Sequence, residues 1–222
     1  WQPSADKIAD VNITRFTRQL EADWSVSLPD YSAMHEFSLN EMEKFWSTVW
    51  DFCGVVAETK GERILDDGEK MPGAQFFPDA RLNFAQNLLG RRDDSTAILF
   101  RAEDQIERQL TWNELYDEVS RLAQAMRAMG VDAGDRIAGF VPNCPEAIIA
   151  MLAASSIGAI WTSCSPDFGV QGVLDRFGQV EPKMLFTADG YHYNGKPQNS
   201  LAKISSMGAD QKAIRRIGEI TD

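Results

Sequence analysis

From about residue 96 onward, apolar positions switch between period two and period three to four, the two repeats that strands and helices impose on a buried face. Thr96 to Arg101 and Glu107 to Thr111 read as the strands of a hairpin. Thr111-Trp-Asn-Glu114 is a capping box. It opens a helix whose Leu115, Val119, Leu122, Met126 and Met129 recur at helical steps, and Gly130 stops it. The pattern then predicts a strand over Arg136 to Val141, a helix over Ala147 to Ile157 entered through Pro145, and a strand over Ala159 to Ser163. A helix over Val170 to Val180, ended by Pro182, and a strand over Met184 to Thr187 come next. Strands alternating with helices predict right-handed crossover units. The expected fold class is α/β, a mostly parallel sheet with helices on both faces. The Ala147 to Ile157 segment is apolar nearly all round, which suits a helix held between the sheet and other helices.

Ahead of Gly90-Arg-Arg-Asp-Asp-Ser95 the pattern is aromatic-rich and irregular. It predicts a helix from Ile8 to Leu20 and another from Asn40 to Phe52, with Phe45, Trp46, Val49 and Trp50 clustered. Turn-rich "LDDGEKMPGAQFFPDARLNFAQNLL" comes next. Residues 1–90 therefore read as a mainly helical and irregular cap segment, and residues 91–222 as the first part of a larger domain.

Composition narrows the partners. A net charge of -11 over 222 residues argues against nucleic acid or an anionic membrane as the main partner, since both require a basic face. A bound polyanion would have to be met by a few local cations. Cys53, Cys144 and Cys164 form no CxxC pair, and His35 and His192 are the only histidines, so neither a disulfide framework nor a metal site is expected. A reducing, cytoplasmic location fits. No apolar run approaches the roughly 20 residues of a membrane span, and the first residues lack the order of a signal peptide. The chain opens on Trp1 and not Met, which suggests a start inside a longer protein. G-x-G-x-x-G, G-x-x-x-x-G-K-[ST] and G-x-S-x-G are all absent, so no catalytic residue is nominated. Asp66, Asp67 and Glu69 read as a solvated turn.

The stretch "GAIWTSCSPDFG" (158–169) changes within a few residues from an apolar run to small hydroxyl and thiol residues. Its first part is a strand and its second that strand's carboxyl-end loop, where open α/β sheets bind ligands. The loop runs to the N-terminus of the next helix, where free N–H groups favour anions. Ser165 and Asp167 also suit a second reading, in which they only turn and cap the chain before Gly169.

"GDRIAGFVPNCPEAIIAMLAASSIGAIWTSCSPDFGVQGVLDRFGQVEPKMLF", preceded by "LTWNELYDEV", resembles the early core motifs of the acyl-adenylate-forming enzymes. "MPGAQFFPDARLNFAQNLL", "CSPDFG", "RFGQVEPK" and "DGYHYNGK" are similar, more narrowly, to the acetoacetyl-CoA synthetase family. "YSAMHEFSLNEMEKFWSTVWDF" resembles the N-terminal segment that acetyl- and acetoacetyl-CoA synthetases share. The resemblance covers roughly Trp1 to Lys196. It implies joining of acetoacetate to ATP, giving an acyl-adenylate and pyrophosphate, and then displacement of AMP by the thiol of CoA, with Mg as the nucleotide's metal. It also implies that the Gly-rich phosphate loop, the ribose-binding acidic residue and a C-terminal domain with the adenylation lysine lie beyond Asp222. These 222 residues alone are then expected to be inactive and to hold no cofactor.

Carried over by position, Ser165, Pro166, Asp167 and Phe168 fall where related enzymes place a glycine-rich loop near the CoA pantetheine arm. Lys196 falls where they have an arginine that meets the CoA nucleotide. Pro166 and Asp167 replace glycines, and a lysine lacks the guanidinium fork. Trp161, read as lying at a strand end, either shapes a pocket for a small acid or is an ordinary buried aromatic. Lys196 itself is expected on a loop after Thr187. Ser205 to Asp222 is more polar than the strand expected there. An acetyl- or propionyl-CoA synthetase segment and a non-catalytic binding module are the alternatives.

Overall fold

In the computed structural model, which describes residues 1–103 and 107–207, the chain divides into two units between Leu82 and Asn83. Aromatic side chains on short helices build the first unit. These are α1 (Ala5–Asp10), α2 (Asn12–Trp24), α3 (Tyr31–Asn40) and α4 (Met42–Phe52), succeeded by an antiparallel ribbon of β1 (Leu65–Asp66) and β2 (Gln75–Phe76). Phe16, Leu20, Leu28, Met34 and Phe37 are buried together, with Phe45, Val49 and Phe52 packed on them. Phe16 meets Phe45 and Phe52 edge-on at 5.5 and 5.2 Å between centroids, as the ring quadrupole favours.

The single helix expected over Ile8 to Leu20 is instead broken at Val11. There the Thr14 hydroxyl donates to the Ile8 carbonyl at 2.6 Å and Arg15 donates to that of Asp10 at 3.1 Å. These side-chain bonds replace interrupted helical ones. The helix expected from Asn40 starts at Met42, because Asn40 closes α3. Asp30 caps α3, accepting from the Ala33 N–H at 2.9 Å, the role for which a short carboxylate ahead of a helix is suited.

The second unit opens with α5 (Phe84–Leu88). The division lies ahead of Gly90–Ser95 because α5 packs with the second unit. Ala85 and Leu89 join that unit's core, and the Asn83 amide donates to the Ser155 carbonyl at 2.9 Å. The expected hairpin forms from β3 (Thr96–Arg101) and β4 (Glu107–Thr111). In α6 (Trp112–Ala128) the capping box is complete: the Thr111 hydroxyl accepts from the Glu114 N–H at 3.2 Å, and the Glu114 carboxylate accepts from the Thr111 N–H at 2.8 Å. Gly130 takes φ +81°, a conformation that a side chain disfavours.

Next come β5 (Arg136–Phe140), α7 (Pro145–Ser156), β6 (Ile160–Cys164), α8 (Val170–Val180) and β7 (Met184–Thr187). The three strands are parallel in the order β6-β5-β7. Alternation along β5 sends Ile137 to one face, among Leu115, Val119, Met126, Ile149 and Leu152 of α6 and α7. Ala138 and Phe140 go to the other, with Val173 and Phe177 of α8. The chain crosses from β5 to β6 on the α7 face and returns past β5 to β7 on the α8 face. Opposite directions on opposite faces keep both crossovers the same hand.

Beyond β7, the antiparallel pair β8 (Gly190–Tyr193) and β9 (Lys196–Asn199) leads to α9 (Ser200–Met207). Of the polar tail that starts at Ser205, residues 208–222 lie outside the described residues.

Gly139 is a packing requirement of this sheet. A Cβ on it would lie 2.5 Å from the Trp161 ring, so that ring or the strand would have to move. Gly139→Ala is expected to destabilise the protein by about 1–3 kcal/mol, as overpacking does, read as a lower urea midpoint. In a Trp161→Leu background most of that penalty should vanish.

Candidate functional site at the carboxyl edge of the sheet

The register pairs Phe140 with both Cys164 and Thr187, so the three parallel strands end level with one another. The Ser165–Phe168 loop leaves this edge from β6. It is a tight turn in which Ser165 C=O accepts from the Phe168 N–H at 3.2 Å, with Pro166 at the position where its fixed φ is favoured. The Ser165 hydroxyl accepts from the Asp167 N–H at 3.3 Å and donates to Asp167 Oδ2 at 2.9 Å. The turning role considered for these residues is thus present. The capping role is not, since α8 has Gly169 as its N-cap and the cap has no side-chain hydrogen bond.

Asp167 has another partner. Tyr191 of β8 donates its hydroxyl to Asp167 Oδ1 at 2.6 Å. Lys203 of α9 donates to the Pro166 carbonyl at 2.6 Å. The Arg176 guanidinium of α8 lies 3.9 Å from the centroid of the Phe168 ring while donating to the Gly172 carbonyl at 3.0 Å. Pro166 is buried, whereas Ser165, Asp167 and Phe168 are exposed. The hydrogen bonds from Tyr191 and then Ser165 hold the Asp167 carboxyl below the usual carboxylate range, with a further contribution from the Lys203 charge. Burial, then the Asp167 hydrogen bond and charge, push the Tyr191 phenol up to about 12.

Lys196 does not lie on a loop. Asn194 and Gly195 take φ values of +52° and +70°, the pair of left-handed residues that a tight hairpin turn demands. Lys196 therefore begins β9 directly opposite Tyr193. The Asn-Gly dipeptide announced this turn in the sequence. The Glu103 carboxylate accepts from the Gly195 N–H at 3.0 Å and steadies it. Tyr191 pairs with Gln198 and Tyr193 with Lys196, so these four residues share one face of the hairpin. The exposed Lys196 thus stands on the face from which Tyr191 reaches the Ser165–Phe168 loop.

Trp161 is placed differently from the strand end expected for it. It is the second residue of β6, paired with Ile137 near the strands' amino ends. Its ring packs beside Phe186, 6.0 Å between centroids, against the core cluster of α6 and α7. This is the environment of an ordinary half-buried aromatic. Tyr191, Lys203 and Arg176 were not anticipated. The hairpin signal could have found Tyr191, but nothing local marks Lys203 as a partner of Pro166.

Among the described residues no group of three or more His, Cys, Asp or Glu side chains is disposed to hold a metal ion. No helix among them is long and apolar enough to cross a membrane. The cysteines are free.

A parallel sheet whose level carboxyl edge carries a braced polar loop is the ligand-binding arrangement of α/β enzymes. Residues 84–219 match the family model described as "AMP-binding enzyme", and residues 31–88 match "Acetyl-coenzyme A synthetase N-terminus". The chain belongs to the AMP-binding enzyme family. It is 47% identical over 223 residues to acetoacetyl-coenzyme A synthetase of Rhizobium meliloti (strain 1021), covering 99% of this chain and 34% of that protein. It is 37% identical over 210 residues to acetoacetyl-CoA synthetase of Danio rerio, covering 93% of this chain and 31% of that one. The solved structure of acetoacetyl-CoA synthetase from Streptomyces lividans superposes with a TM-score of 0.89 at 42% identity, covering 97% of this chain and 34% of its own. The chain spans about a third of the length of these relatives.

The Tyr191–Asp167 bond has a pH signature. Because the folded state favours neutral Tyr191, its contribution to stability is complete below the ordinary tyrosine value of 10.0 and is lost as pH rises through about 12. The depressed Asp167 acts oppositely: its contribution is present above the ordinary carboxylate range and is lost as pH falls through its lowered value. In Asp167→Asn the phenolate absorbance of Tyr191 is expected to titrate below about 12, though still above 10.0, because burial remains. An unmoved titration would show that Asp167 does not hold the phenol.

Proposed function

We propose that this chain is the first part of an ATP-dependent acetoacetate:CoA ligase acting in the cytoplasm. The observation that carries the reading is its similarity, nearly end to end, to acetoacetyl-CoA synthetases. The whole enzyme converts acetoacetate, ATP and CoA into acetoacetyl-CoA, AMP and pyrophosphate. Adenylation is needed because carboxylate oxygen is a poor leaving group and AMP a good one. The thiolate of CoA then attacks the acyl carbon and AMP departs. Among the described residues no group of three or more His, Cys, Asp or Glu could hold the Mg ion by itself, and Mg ordinarily takes one or two carboxylates with water and phosphate oxygens.

The contribution of this chain lies on the CoA side. The Ser165–Phe168 loop offers a short rigid wall for the pantetheine arm, and Lys196 a cation for the phosphates of the nucleotide end. In a protein of net charge -11, such a local cation is what a polyanionic ligand requires. The adenylation chemistry and the partner groups it needs belong to the remainder of the enzyme, including its C-terminal domain.

Pyrophosphate exchange into ATP by the full-length protein tests the reading. Exchange stimulated by acetoacetate well above acetate or propionate is expected. Stimulation by acetate or propionate in its place would assign a sister ligase, and no exchange with any acid would assign a binding module. On the CoA side, Lys196→Ala in the full-length enzyme is expected to raise the KM for CoA about three- to tenfold, at about 1.4 kcal/mol per factor of ten. The KM values for ATP and acetoacetate should stay as they are. The CoA effect should be largest at low ionic strength, where an exposed charge is least screened. Unchanged CoA kinetics there would make Lys196 a solvated surface residue.

A further inference from the structure

We propose that Tyr191 is a positioning residue for the CoA half-reaction, holding the Ser165–Phe168 loop through Asp167 so that the loop is already shaped when the coenzyme arm arrives. The inference rests on the CoA-side reading of that loop and adds a residue to which no role has been given.

The loop is secured at three points by three different elements. Its Asp167 carboxylate is held by Tyr191 of β8 at 2.6 Å, its Pro166 carbonyl by Lys203 of α9 at 2.6 Å, and its Phe168 ring by Arg176 of α8 at 3.9 Å. Only the first tie ends on a side chain that also organises the loop internally. The same carboxylate accepts from the Ser165 hydroxyl at 2.9 Å, and that hydroxyl in turn accepts from the Asp167 N–H. Oδ1 thus points outward to Tyr191 and Oδ2 inward to Ser165. Releasing Oδ1 frees the carboxylate to rotate, and Ser165 loses a partner with fixed geometry.

Tyr191 also links the loop to Lys196. Both lie on one face of the β8–β9 hairpin, with the Tyr193–Lys196 pair next along it from Tyr191–Gln198. The Tyr191–Asp167 hydrogen bond therefore ties the loop to the strand pair that carries the cation proposed for the nucleotide end. A site held in its bound shape spares the ligand the cost of ordering it. Interactions made equally in the ground and transition states appear in KM and leave kcat alone.

The test uses the full-length enzyme. Tyr191→Phe keeps the ring and removes the hydroxyl. It is expected to raise the KM for CoA about three- to tenfold, less than a shielded hydrogen bond to a charged partner would give because the site is exposed, with kcat nearly unchanged. The KM values for ATP and acetoacetate, read by pyrophosphate exchange without CoA, should not move. The ionic-strength dependence of the CoA KM should match wild type, because no charge has been removed. Amide hydrogen exchange at Asp167 and Phe168 should accelerate. Combined with Asp167→Ala, which already breaks the tie, Tyr191→Phe should add nothing. A full, additive effect in that background would mean that Tyr191 acts without Asp167 and would overturn the proposal, as would unchanged exchange at the loop. Faster loop exchange with unchanged CoA kinetics would overturn it through the CoA-side reading on which it rests. Wild-type protein with no acid-dependent pyrophosphate exchange would instead overturn the ligase reading, and this inference with it.

Discussion

The second unit depends on one constraint, the burial of β5 on both faces and both edges. Parallel pairing with β6 on one side and β7 on the other satisfies its backbone groups, so from Ile137 to Phe140 each residue must fit a packed layer. Ile137, Ala138, Phe140 and the side-chain-free Gly139 do so by turns, toward α6 and α7 on one face and toward α8 on the other. The level strand ends, and the loops that leave them, are consequences of this register.

The loop that leaves β6 shows how a scaffold makes a polar turn rigid without burying it. Ser165, Asp167 and Phe168 remain exposed. Order comes from bonds to side chains 24 and 37 residues away along the chain. Individually, exposed polar contacts of this kind add little to global stability. Together they select one loop conformation, which is what a binding surface requires. The same hairpin that supplies Tyr191 presents Lys196, so a wall and a cation are set by one pair of short strands.

The first unit obeys a different logic. Its helices are short, and its core mixes aromatic with aliphatic side chains around Phe16, which is in edge contact with two further rings. Large rings bury much area per residue, which lets helices as short as α3 and α4 hold together. Side-chain bonds at Val11 and the cap at Asp30 decide where these helices break.

Much of the second unit was legible in the order of residues because its signals are local. The capping box at Thr111, the stop at Gly130, Pro145 at a helix start and the period-two runs each act over a few residues, and the structure places helices and strands where they point. The breaks in the first unit were less legible, since a Thr or Arg that takes a backbone carbonyl competes with an otherwise good helical pattern. For the candidate site, the sequence alone marked Ser165–Phe168 and Lys196, by their place after strands and by resemblance. That Lys196 begins a strand was written in Asn194-Gly195, whose left-handed conformations require a tight turn. Only the tertiary structure decided that Trp161 lies among core residues near the amino end of β6, and that Tyr191, Lys203 and Arg176 converge on one loop. Those relations join elements distant in sequence. No local pattern encodes them, because they arise from where the crossovers and the hairpin bring separate segments together.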